Sequence, residues 1–265
     1  MQDINLLNQA AIAAGRVIQA IAKKNYTMLH KSDQSPLTEA DLSANQLLKE
    51  CLLSRCPDYG WLSEETQDDL QRLEKKSVWI VDPLDGTKEY IHRIPEYVVS
   101  IALVEEGIPI LASVFNPASE DLFYAMKGRG AWRNGKRLVC EYPMTAKINV
   151  VASRSEIAAG RWQPFADCLE IEPMGSIAYK LALVAAGKTQ ACFSLQPRNE
   201  WDIAAGVLLV QEAGGIVQTL SGNPVVFNQA NTLVEGIIAS THTAYPGIKE
   251  ILRTYYRCEE PSSNL

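Results

Sequence analysis

The chain has 265 residues, of which 47% are hydrophobic and 21% are charged, so it can bury a substantial core and long disorder is excluded. Its formal net charge is −6 without a basic run, which argues against binding a nucleic acid polymer. No apolar run approaches the ~18 residues of a membrane span. Six cysteines without a Cys-x-x-Cys pair predict reduced thiols in a cytoplasmic protein.

The first half of the chain is predicted to contain helices followed by a sheet. Apolar residues recur at helical spacing over residues 3–24. A second helix follows, and one face of it is expected to carry Leu42, Asn45, Leu48 and Leu52. Thr38 or Ser35 could cap this helix. Asp41 would then lie in its first turn, where a carboxylate favours the positive end of the helix dipole.

The strands of this half are indicated by short apolar segments between turns. Residues 59–65 predict a strand that runs into Glu64 and Glu65. Successive strand side chains face opposite ways, so at most one of the two acids can be a main ligand, and both could equally be solvated. An antiparallel meander is predicted from the segments 97–105, 109–116 and 122–126.

The second half alternates strands and helices, which is typical of α/β layers. Strands are predicted at 149–153, 169–172, 191–194, 216–219 and 237–240, and helices at 177–186, 202–213 and 244–256. A junction at 141–147 separates the halves. We therefore expect an N-terminal half, residues 1–143, that carries most of the metal ligands. A C-terminal half, residues 144–265, would supply Asp202 and substrate contacts.

The most informative stretch begins with a short buried strand at residues 78–81, which Pro83 and Gly86 are expected to end. Asp82 and Asp85 would follow at its carboxyl end. A straight strand would point them apart, so they can converge only around a turn. In the aspartate-nucleophile phosphatases one residue separates the paired aspartates. Here two intervene, which favours metal ligation over a nucleophile and acid pair.

The chemistry expected of this stretch is that of a hard cation beside an anion. Asp82 and Asp85 offer carboxylates, Leu84 a carbonyl and Thr87 a hydroxyl, all oxygen donors. The N–H groups of Gly86 and Thr87 could bind a phosphate, above all if a helix begins near Thr87. The competing interpretation is an ordinary surface turn, because Asp-Pro and Asp-Gly are common in turns.

Further candidates lie outside this stretch. Asp202 opens an apolar helix and could simply cap it, yet a buried carboxylate is costly unless a cation or donors meet it. Gly175-Ser176 precedes a helix and suits an anion. Lys88, His92 and Arg93 could either approach the phosphate or lie on the surface. Arg154, Lys180 and Arg198 are further cations that could bind an anion.

Taken together, these residues resemble the lithium-sensitive, magnesium-dependent phosphatase superfamily that includes inositol monophosphatase. The shared pattern, in order, is Asp41, Glu64-Glu65, Asp82 to Thr87, Trp201-Asp202 and Gly214-Gly215. Within that superfamily, residues 85–91 resemble the 3′(2′),5′-bisphosphate nucleotidase branch known as CysQ, with Tyr90 in place of Phe. Leu195 stands where inositol monophosphatases carry a glutamate that contacts inositol. Since leucine cannot accept a hydrogen bond from a hydroxyl, inositol becomes a poorer substrate.

The resemblance implies a layered α/β (α+β) fold, an α-β-α-β-α sandwich with a mostly antiparallel N-terminal sheet and a smaller mixed C-terminal sheet. It implies two or three Mg²⁺ ions per site, held by Glu64, Asp82, Leu84, Asp85 and Asp202. Asp41, Thr87 and Glu64 would be catalytic. Substrate contacts would come from Asp85, Gly86, Thr87, Ser176, Lys180 and Asp202. Many relatives dimerise, which leaves a homodimer open.

The activity implied is hydrolysis of the 3′-phosphate of adenosine 3′,5′-bisphosphate (PAP) and, by extension, of its sulfated form (PAPS), by metal-activated water. One alternative is an inositol-1-monophosphatase or another sugar-phosphate phosphatase. A second alternative is a non-catalytic protein that binds metal or phosphate. The combination of Thr87, Asp41 and Glu64 argues against it, because a structural site does not need all three.

Overall fold

The structure is a computed structural model that describes residues 4–24, 28–30 and 36–259. Its helices are α1 (Ile4–Ala22), α2 (Glu39–Leu53), α3 (Thr87–Ile91), α4 (Arg154–Ala158), α5 (Ile177–Ala185), α6 (Glu200–Glu212) and α7 (Tyr245–Glu259), with 3-10 turns at Gln71–Glu74 and Gln163–Phe165. Within the described ranges, none of them has both the length and the apolar character needed to cross a bilayer.

The strands of the N-terminal part are β1 (Met28–His30), β2 (Pro36–Thr38), β3 (Gly60–Ser63), β4 (Ser77–Asp85), β5 (Val98–Glu105), β6 (Ile108–Asn116), β7 (Asp121–Met126), β8 (Gly130–Arg133) and β9 (Lys136–Arg137). Those of the C-terminal part are β10 (Ile148–Ser153), β11 (Leu169–Met174), β12 (Ala191–Phe193), β13 (Arg198–Asn199), β14 (Ile216–Thr219), β15 (Leu233–Val234) and β16 (Ile237–Ser240).

The larger sheet has seven strands in the order β3-β4-β5-β6-β7-β8-β9. β3 runs parallel to β4, and the other neighbouring pairs are antiparallel. Alternate residues of β4 face opposite sides. Trp79 and Val81 pack with α1 and α2, whereas Val78 and Ile80 pack with α5 and α6. Helices therefore cover both faces of this sheet.

The smaller sheet has five strands in the order β11-β10-β12-β16-β14 and is mixed. Its inner face, with Val151 and Cys192, joins the core around α5 and α6. Its outer face, with Val150 and Phe193, packs against α7. The layers are α1 with α2, the large sheet, α5 with α6, the small sheet, and α7. This confirms the predicted five-layer sandwich.

Helix α6 is the element that joins the two sheets. Apolar residues surround nearly all of it, and those that are buried include Ile203, Val207 and Val210. It packs closely on α5, since a Cβ added at Gly206 would lie 2.5 Å from Leu181 Cδ1. Both predicted halves contribute to this core, and the division at 143/144 stays a prediction. The position of α6 decides where Asp202 lies.

Three expectations differ from the structure. Leu42 is 42% exposed, so its placement on the buried face of α2 was wrong; that face follows Asp41 and Asn45 at a spacing of four, and Leu42 falls outside it. β4 does not end at Pro83 but continues to Asp85. Thr38 caps α2, and Ser35 lies outside the described residues. The short pairs β1–β2 and β13–β15 escaped prediction because two or three residues show no periodicity.

Candidate active site

The cleft begins at an irregularity in β4. Asp82 pairs with Ser100 and Asp85 with Val98, so β4 has one residue more than β5 over this interval. Such a bulge turns side chains that a regular strand would hold on opposite faces. It supplies the turn that the sequence required between the two aspartates. Asp82 Oδ1 also accepts the Leu84 N–H at 3.0 Å, which holds the bulge in shape.

Three carboxylates from distant segments meet beside this bulge. Glu64, Asp82 and Asp202 each offer an oxygen within 4.8 Å of the others. Glu64 and Asp82 come together because β3 and β4 are parallel neighbours. Asp202 arrives on the first turn of α6, where its Oδ2 also accepts the Asn199 N–H at 3.1 Å. The aspartate is thus both a helix cap and a member of the cluster.

The electrostatics of this cluster call for a cation. Burial, followed by the charge of Glu64 and those of the neighbouring aspartates, raises the pKa of Asp82 well above that of an ordinary aspartate. Burial and the charges of Asp85 and Glu64 raise the pKa of Asp202 in the same way. Carboxylates that repel one another in a buried place are stabilised by a bound metal. An oxygen-only donor set fits a hard divalent ion such as Mg²⁺.

Asp85 adjoins the cluster but is held from the other side. Its Oδ2 accepts the Ser176 hydroxyl at 2.6 Å and the Ala178 N–H at 2.7 Å, both from the start of α5. Ser176 takes up a left-handed φ of 42° to make this contact. Burial raises the pKa of Asp85, and these two hydrogen bonds oppose the shift. Asp85 therefore connects β4 to α5, and its role as a metal ligand stays a prediction.

Thr87 and Asp41 form a hydrogen-bonded pair at the start of α3. Thr87 Oγ1 lies 2.9 Å from Asp41 Oδ1 and 3.1 Å from the Leu84 carbonyl oxygen. The other oxygen of Asp41 accepts the Thr38 N–H at 2.8 Å and its hydroxyl at 2.6 Å, which completes a capping box on α2. Burial raises the pKa of Asp41, against the hydrogen bonds from Thr38 and Thr87.

Gly86 is required where the chain turns from β4 into α3. Its φ is 99°, and a Cβ there would lie 2.8 Å from the Glu96 carbonyl oxygen. A side chain at this position is therefore strained by the backbone conformation and by a close backbone neighbour. The glycine lets the chain turn sharply enough for the N–H groups of residues 86 and 87 to lie at the cleft.

Cationic side chains line the opposite wall. Lys180 is 4% exposed, and its Nζ lies 3.4 Å from the carbonyl oxygens of Met174 and Gly175. Burial lowers the pKa of Lys180. Arg198 donates to the Ser194 hydroxyl at 2.7 Å and to the Glu156 carboxylate. These two cations line the same cleft as the carboxylate cluster.

The remaining predicted cations divide into two groups. Arg154 lines the cleft and pairs with Glu96 through two nitrogens, at 2.6 and 3.2 Å. Lys88 and His92 also line it, both exposed, and His92 Nδ1 lies 2.7 Å from the Lys88 carbonyl oxygen. Arg93 is not among the lining residues.

The cleft as a whole has a volume of about 610 Å³, large enough for a nucleotide or a sugar phosphate. All the metal-ligand and substrate residues implied by the resemblance line it, and of the catalytic ones Asp41 does not, because it lies behind Thr87. Leu195, which stands in place of a glutamate in the resemblance, is outside the lining. It is half-buried against the core beneath α7.

Two supporting residues were missed in the sequence. Asn45 accepts the Ser63 hydroxyl at 2.8 Å and donates to Thr66 Oγ1 at 3.0 Å, so it holds the chain on both sides of Glu64. Its spacing of four from Asp41 on α2 could have indicated this. Glu96 Oε2 accepts the Gly175 N–H at 2.7 Å while the carboxylate holds Arg154. No local pattern marks Glu96.

Comparison with known proteins adds family relationships to this geometry. The chain matches the profile of the Inositol monophosphatase family over residues 2–255. It is 35% identical over 239 residues to the inositol-1-monophosphatase of Caulobacter vibrioides, covering 82% of this chain and 87% of that protein. It is 32% identical over 243 residues to the 3′(2′),5′-bisphosphate nucleotidase CysQ of Aggregatibacter actinomycetemcomitans, covering 88% and 89%. The Nus factor SuhB of Xylella fastidiosa is 35% identical over 230 residues, covering 83% and 82%.

Solved structures show the same fold. An inositol monophosphatase of Thermotoga maritima has a TM-score of 0.84 with 25% identity, covering 97% of this chain and 99% of that one. CysQ from Bacteroides thetaiotaomicron has a TM-score of 0.75 with 30% identity, covering 89% and 97%. Since relatives with different names share sequence and fold with this chain, the likeness does not separate their substrates.

Proposed function

The chain belongs to the inositol monophosphatase family and is a phosphatase of that family, and we propose that it hydrolyses the 3′-phosphate of adenosine 3′,5′-bisphosphate in a Mg²⁺-dependent reaction. The observation that carries the proposal is the meeting of Glu64, Asp82 and Asp202 beside the Thr87–Asp41 pair. In this cleft the three carboxylates can bind cations, and the Thr87–Asp41 pair can transfer a proton.

The metal ligands in this proposal are oxygen donors at the cleft floor. Two or three Mg²⁺ ions would be held by Glu64, Asp82, Asp85, Asp202 and the Leu84 carbonyl. When bound, Mg²⁺ neutralises charge on the phosphate and lowers the pKa of a bound water. Proton transfer and substrate binding are carried out by the side chains and backbone of the cleft.

Proton transfer in this proposal belongs to Thr87 and Asp41. Thr87 Oγ1 gives its proton to Asp41 Oδ1, 2.9 Å away, and takes one from the attacking water. The water oxygen forms a bond to phosphorus as the bond from phosphorus to the ester oxygen breaks. The departing ribose oxygen takes up a proton from a solvent water, and Asp41 returns its proton to solvent. The products are inorganic phosphate and a nucleotide with a free 3′-hydroxyl. The catalytic role of Glu64 in this proposal is to bind the cation beside the attacking water.

Substrate contacts in this proposal come from both walls of the cleft. The N–H groups of Gly86 and Thr87 bind oxygens of the scissile phosphate. Ser176 and Asp85, joined at 2.6 Å, and Asp202 orient the ribose hydroxyls. Lys180 attracts the second phosphate, because its Nζ has only two carbonyl contacts at 3.4 Å and no paired carboxylate among the described residues. The sulfated form of the substrate would use the same contacts.

A second candidate is hydrolysis of inositol 1-phosphate or another sugar phosphate. The relative from Caulobacter vibrioides, at 35% identity, favours it by its name. The replacement of the expected glutamate by Leu195 removes an acceptor for inositol hydroxyls, but Leu195 lies outside the cleft lining, so the preference for a nucleotide rests on the cations of the cleft. A bisphosphorylated nucleotide needs cations instead, and Lys180 and Arg198 line the cleft.

A substrate panel tests the choice between them. Purified protein with Mg²⁺ is given adenosine 3′,5′-bisphosphate, its sulfated form, inositol 1-phosphate and fructose 1,6-bisphosphate, each with and without lithium, and phosphate release is measured. We expect the highest kcat/KM for the nucleotides. Equal or better turnover of inositol 1-phosphate would contradict the nucleotidase proposal and leave the phosphatase assignment in place.

The substitution Asp82→Asn tests the metal site. Loss of a ligand charge should lower kcat/KM by more than the roughly 10–100-fold typical of groups that only orient ligands. The fold should persist, because the neutral amide relieves repulsion at a residue that is 1% exposed. Asp121→Asn is the control, since Asp121 is also buried but pairs with Arg133 outside the cleft. Unchanged turnover by Asp82→Asn would refute the assignment of Asp82 as a metal ligand.

The proposal also includes a cytoplasmic location and, if the protein follows its relatives, a homodimer. Light scattering on the purified protein measures its oligomeric state directly. Neither property enters the chemistry above, because every group used in it comes from one chain.

A further inference from the structure

A second buried polar network lies behind the carboxylate cluster. Arg72 is 3% exposed, in the 3-10 turn that follows β3. Its guanidinium donates twice to Asp68 Oδ2, at 3.0 and 2.8 Å, to Asn228 Oδ1 at 2.7 Å and to the Gln229 carbonyl oxygen at 2.8 Å. Gly60 makes room for it, since a Cβ there would lie 2.9 Å from Arg72 Cβ. The planar fork of arginine suits this arrangement, in which several acceptors are met at once.

The same loop is held from the opposite side by Glu200. This side chain is fully buried, and its two oxygens accept the N–H groups of Asn228 at 2.6 Å and Gln229 at 2.8 Å. Residues 228 and 229 are therefore fixed between an arginine and a glutamate. Asn228 adopts a left-handed φ of 59° in doing so.

The two ends of this network lie close along the chain to two candidate ligands. Arg72 closes the segment that leaves β3 through Glu64, and Glu200 precedes Asp202 by two positions on the first turn of α6. Packing of α6 on the large sheet brings Asp202 near Glu64, but it leaves the first turn of α6 and the segment after β3 without a direct connection. The network supplies a polar connection between these two segments.

We propose that Arg72, Asn228 and Glu200 form a brace that sets the spacing between the carboxylates of Glu64 and Asp202. Arg72 and Asn228 are positioning residues: they act through the ligands and touch neither substrate nor cation. This inference rests on the proposed binding of Mg²⁺ by those carboxylates. Two like charges move apart when their supports loosen, and a cation must then draw them together again, so a loosened brace weakens metal binding.

The test is the substitution Asn228→Gly. Glycine tolerates the φ of 59° and keeps the N–H that Glu200 accepts, so only the side-chain contacts with Arg72 are removed: the acceptor for its guanidinium and the Nδ2 donor that lies 3.4 Å from its carbonyl oxygen. Asn134→Gly is a matched control: Asn134 has a φ of 48°, and its side chain bonds to Leu122 N and Asp121 in a hairpin outside the cleft. The melting temperature of EDTA-treated protein is measured against Mg²⁺ concentration, which yields an apparent Kd. The Mg²⁺ dependence of phosphate release is measured in parallel.

We expect Asn228→Gly to raise the apparent Kd for Mg²⁺ by roughly tenfold, the low end for groups that orient metal ligands. At saturating Mg²⁺ its kcat should approach that of the parent protein. Asn134→Gly should leave the Kd within about twofold of the parent value, and Asn228→Asp, which retains an acceptor for Arg72, should stay close to it.

The outcomes separate the brace from the proposed function. No Mg²⁺-dependent stabilisation of the parent protein would overturn the proposed metal site. Stabilisation of the parent together with an unchanged Kd in Asn228→Gly, even at a lowered melting temperature, would overturn the brace. If Asn228→Gly does not fold, Arg72→Lys takes its place, because lysine keeps the charge without the fork. An unchanged Kd in that variant also overturns the inference.

Discussion

At the scale of single residues, the site depends on carboxylates that use their two oxygens separately. Asp41 caps α2 with Oδ2 and holds Thr87 with Oδ1. Asp202 caps α6 with Oδ2 while offering an oxygen to the cluster. A capping role and a role in the cleft are therefore compatible at each position, although the sequence presented them as alternatives.

Thr87 provides a prediction at this scale. Thr87→Val removes the hydroxyl at nearly constant volume and should lower kcat by roughly 10²–10⁴-fold, the usual contribution of a positioned proton-transfer group. KM for the nucleotide should change little, because the backbone N–H groups remain. Steady-state kinetics at saturating Mg²⁺ measures both constants.

Thr87→Ser is the control for that substitution. Serine keeps a hydroxyl within reach of Asp41, so most of the activity should return. If the valine variant retains the kcat of the parent protein, Thr87 does not carry the proton. If both variants lose activity equally, loss of the hydroxyl alone does not explain the effect.

Single residues could be predicted from the sequence where the chemistry is local. Glu64, Asp82 and Asp202 were named as ligands and do converge in the structure. The partners that orient the site could not be named, because they lie far away along the chain: Arg154 binds a glutamate 58 positions distant, and Arg72 an asparagine 156 positions distant. Hydrophobic periodicity contains no information on such pairs.

At the scale of elements, the contact between α5 and α6 fixes the two walls of the cleft. α5 begins with Ser176, which binds Asp85, and α6 begins beside Asp202. The helices approach closely because Gly206 has no side chain opposite Leu181. The added Cβ would lie 2.6 Å from Leu181 Cβ, an atom that cannot swing away.

Gly206→Ala is the prediction that follows. Alanine in a helix gains about 1 kcal/mol over glycine, whereas overpacking a core costs about 1–3 kcal/mol. We expect a net loss of about 1 kcal/mol in the free energy of unfolding, measured by urea denaturation, together with lower activity. Gly247→Ala in α7 is the control. Its added Cβ meets only the terminal Cδ1 of Ile148 closely, at 2.7 Å, and that methyl group can rotate away. A Gly206→Ala variant more stable than the parent would contradict the tight contact.

Elements were predictable where their pattern was long. The helices α1, α2, α5, α6 and α7 and the meander β5 to β7 follow the predicted order. The continuation of β4 past Pro83 was missed, because proline and glycine signal an end to a strand and give no sign of a bulge. That bulge is what turns Asp82 and Asp85 into the cleft, so the least predictable part of the strand is the part that serves the site.

At the scale of the whole molecule, the carboxylates of the cleft make the stability of the fold depend on pH. Asp82 and Asp202 have pKa values raised well above the ordinary value by burial and by neighbouring carboxylates, with Glu64 and Asp85 acting on both. In the metal-free protein the folded state therefore keeps its protons to a higher pH than the unfolded state does. This contribution to stability is fully present below about pH 4 and is lost as the pH rises through the raised pKa values.

A pH-dependent effect of Mg²⁺ is the prediction at this scale. Bound Mg²⁺ replaces the lost protons, so its stabilising effect should increase over the same range of pH. The difference in melting temperature between Mg²⁺ and EDTA samples should be larger at pH 8 than at pH 5. Asp82→Asn should reduce the difference at both values. A difference that is independent of pH would show that the ion binds elsewhere.

The layered architecture came from the resemblance and not from periodicity. The continuous apolar run of residues 78–81 predicts that both faces of β4 are buried, but it cannot say that α1 and α2 cover one face while α5 and α6 cover the other. Those helices follow the strand by about a hundred residues or precede it. Only the order of the family motifs along the chain linked them to the same cleft.

The late position of α6 affects how the protein is made. Glu64, Asp82 and Asp85 leave the ribosome well before Asp202, and the sheet face with Val78 and Ile80 is not fully covered until α5 and then α6 have emerged. A nascent chain therefore cannot capture a cation in the finished geometry before translation has passed residue 202. A product released earlier exposes an apolar sheet face, which marks it for chaperones or proteases and prevents a half-built hydrolase from persisting.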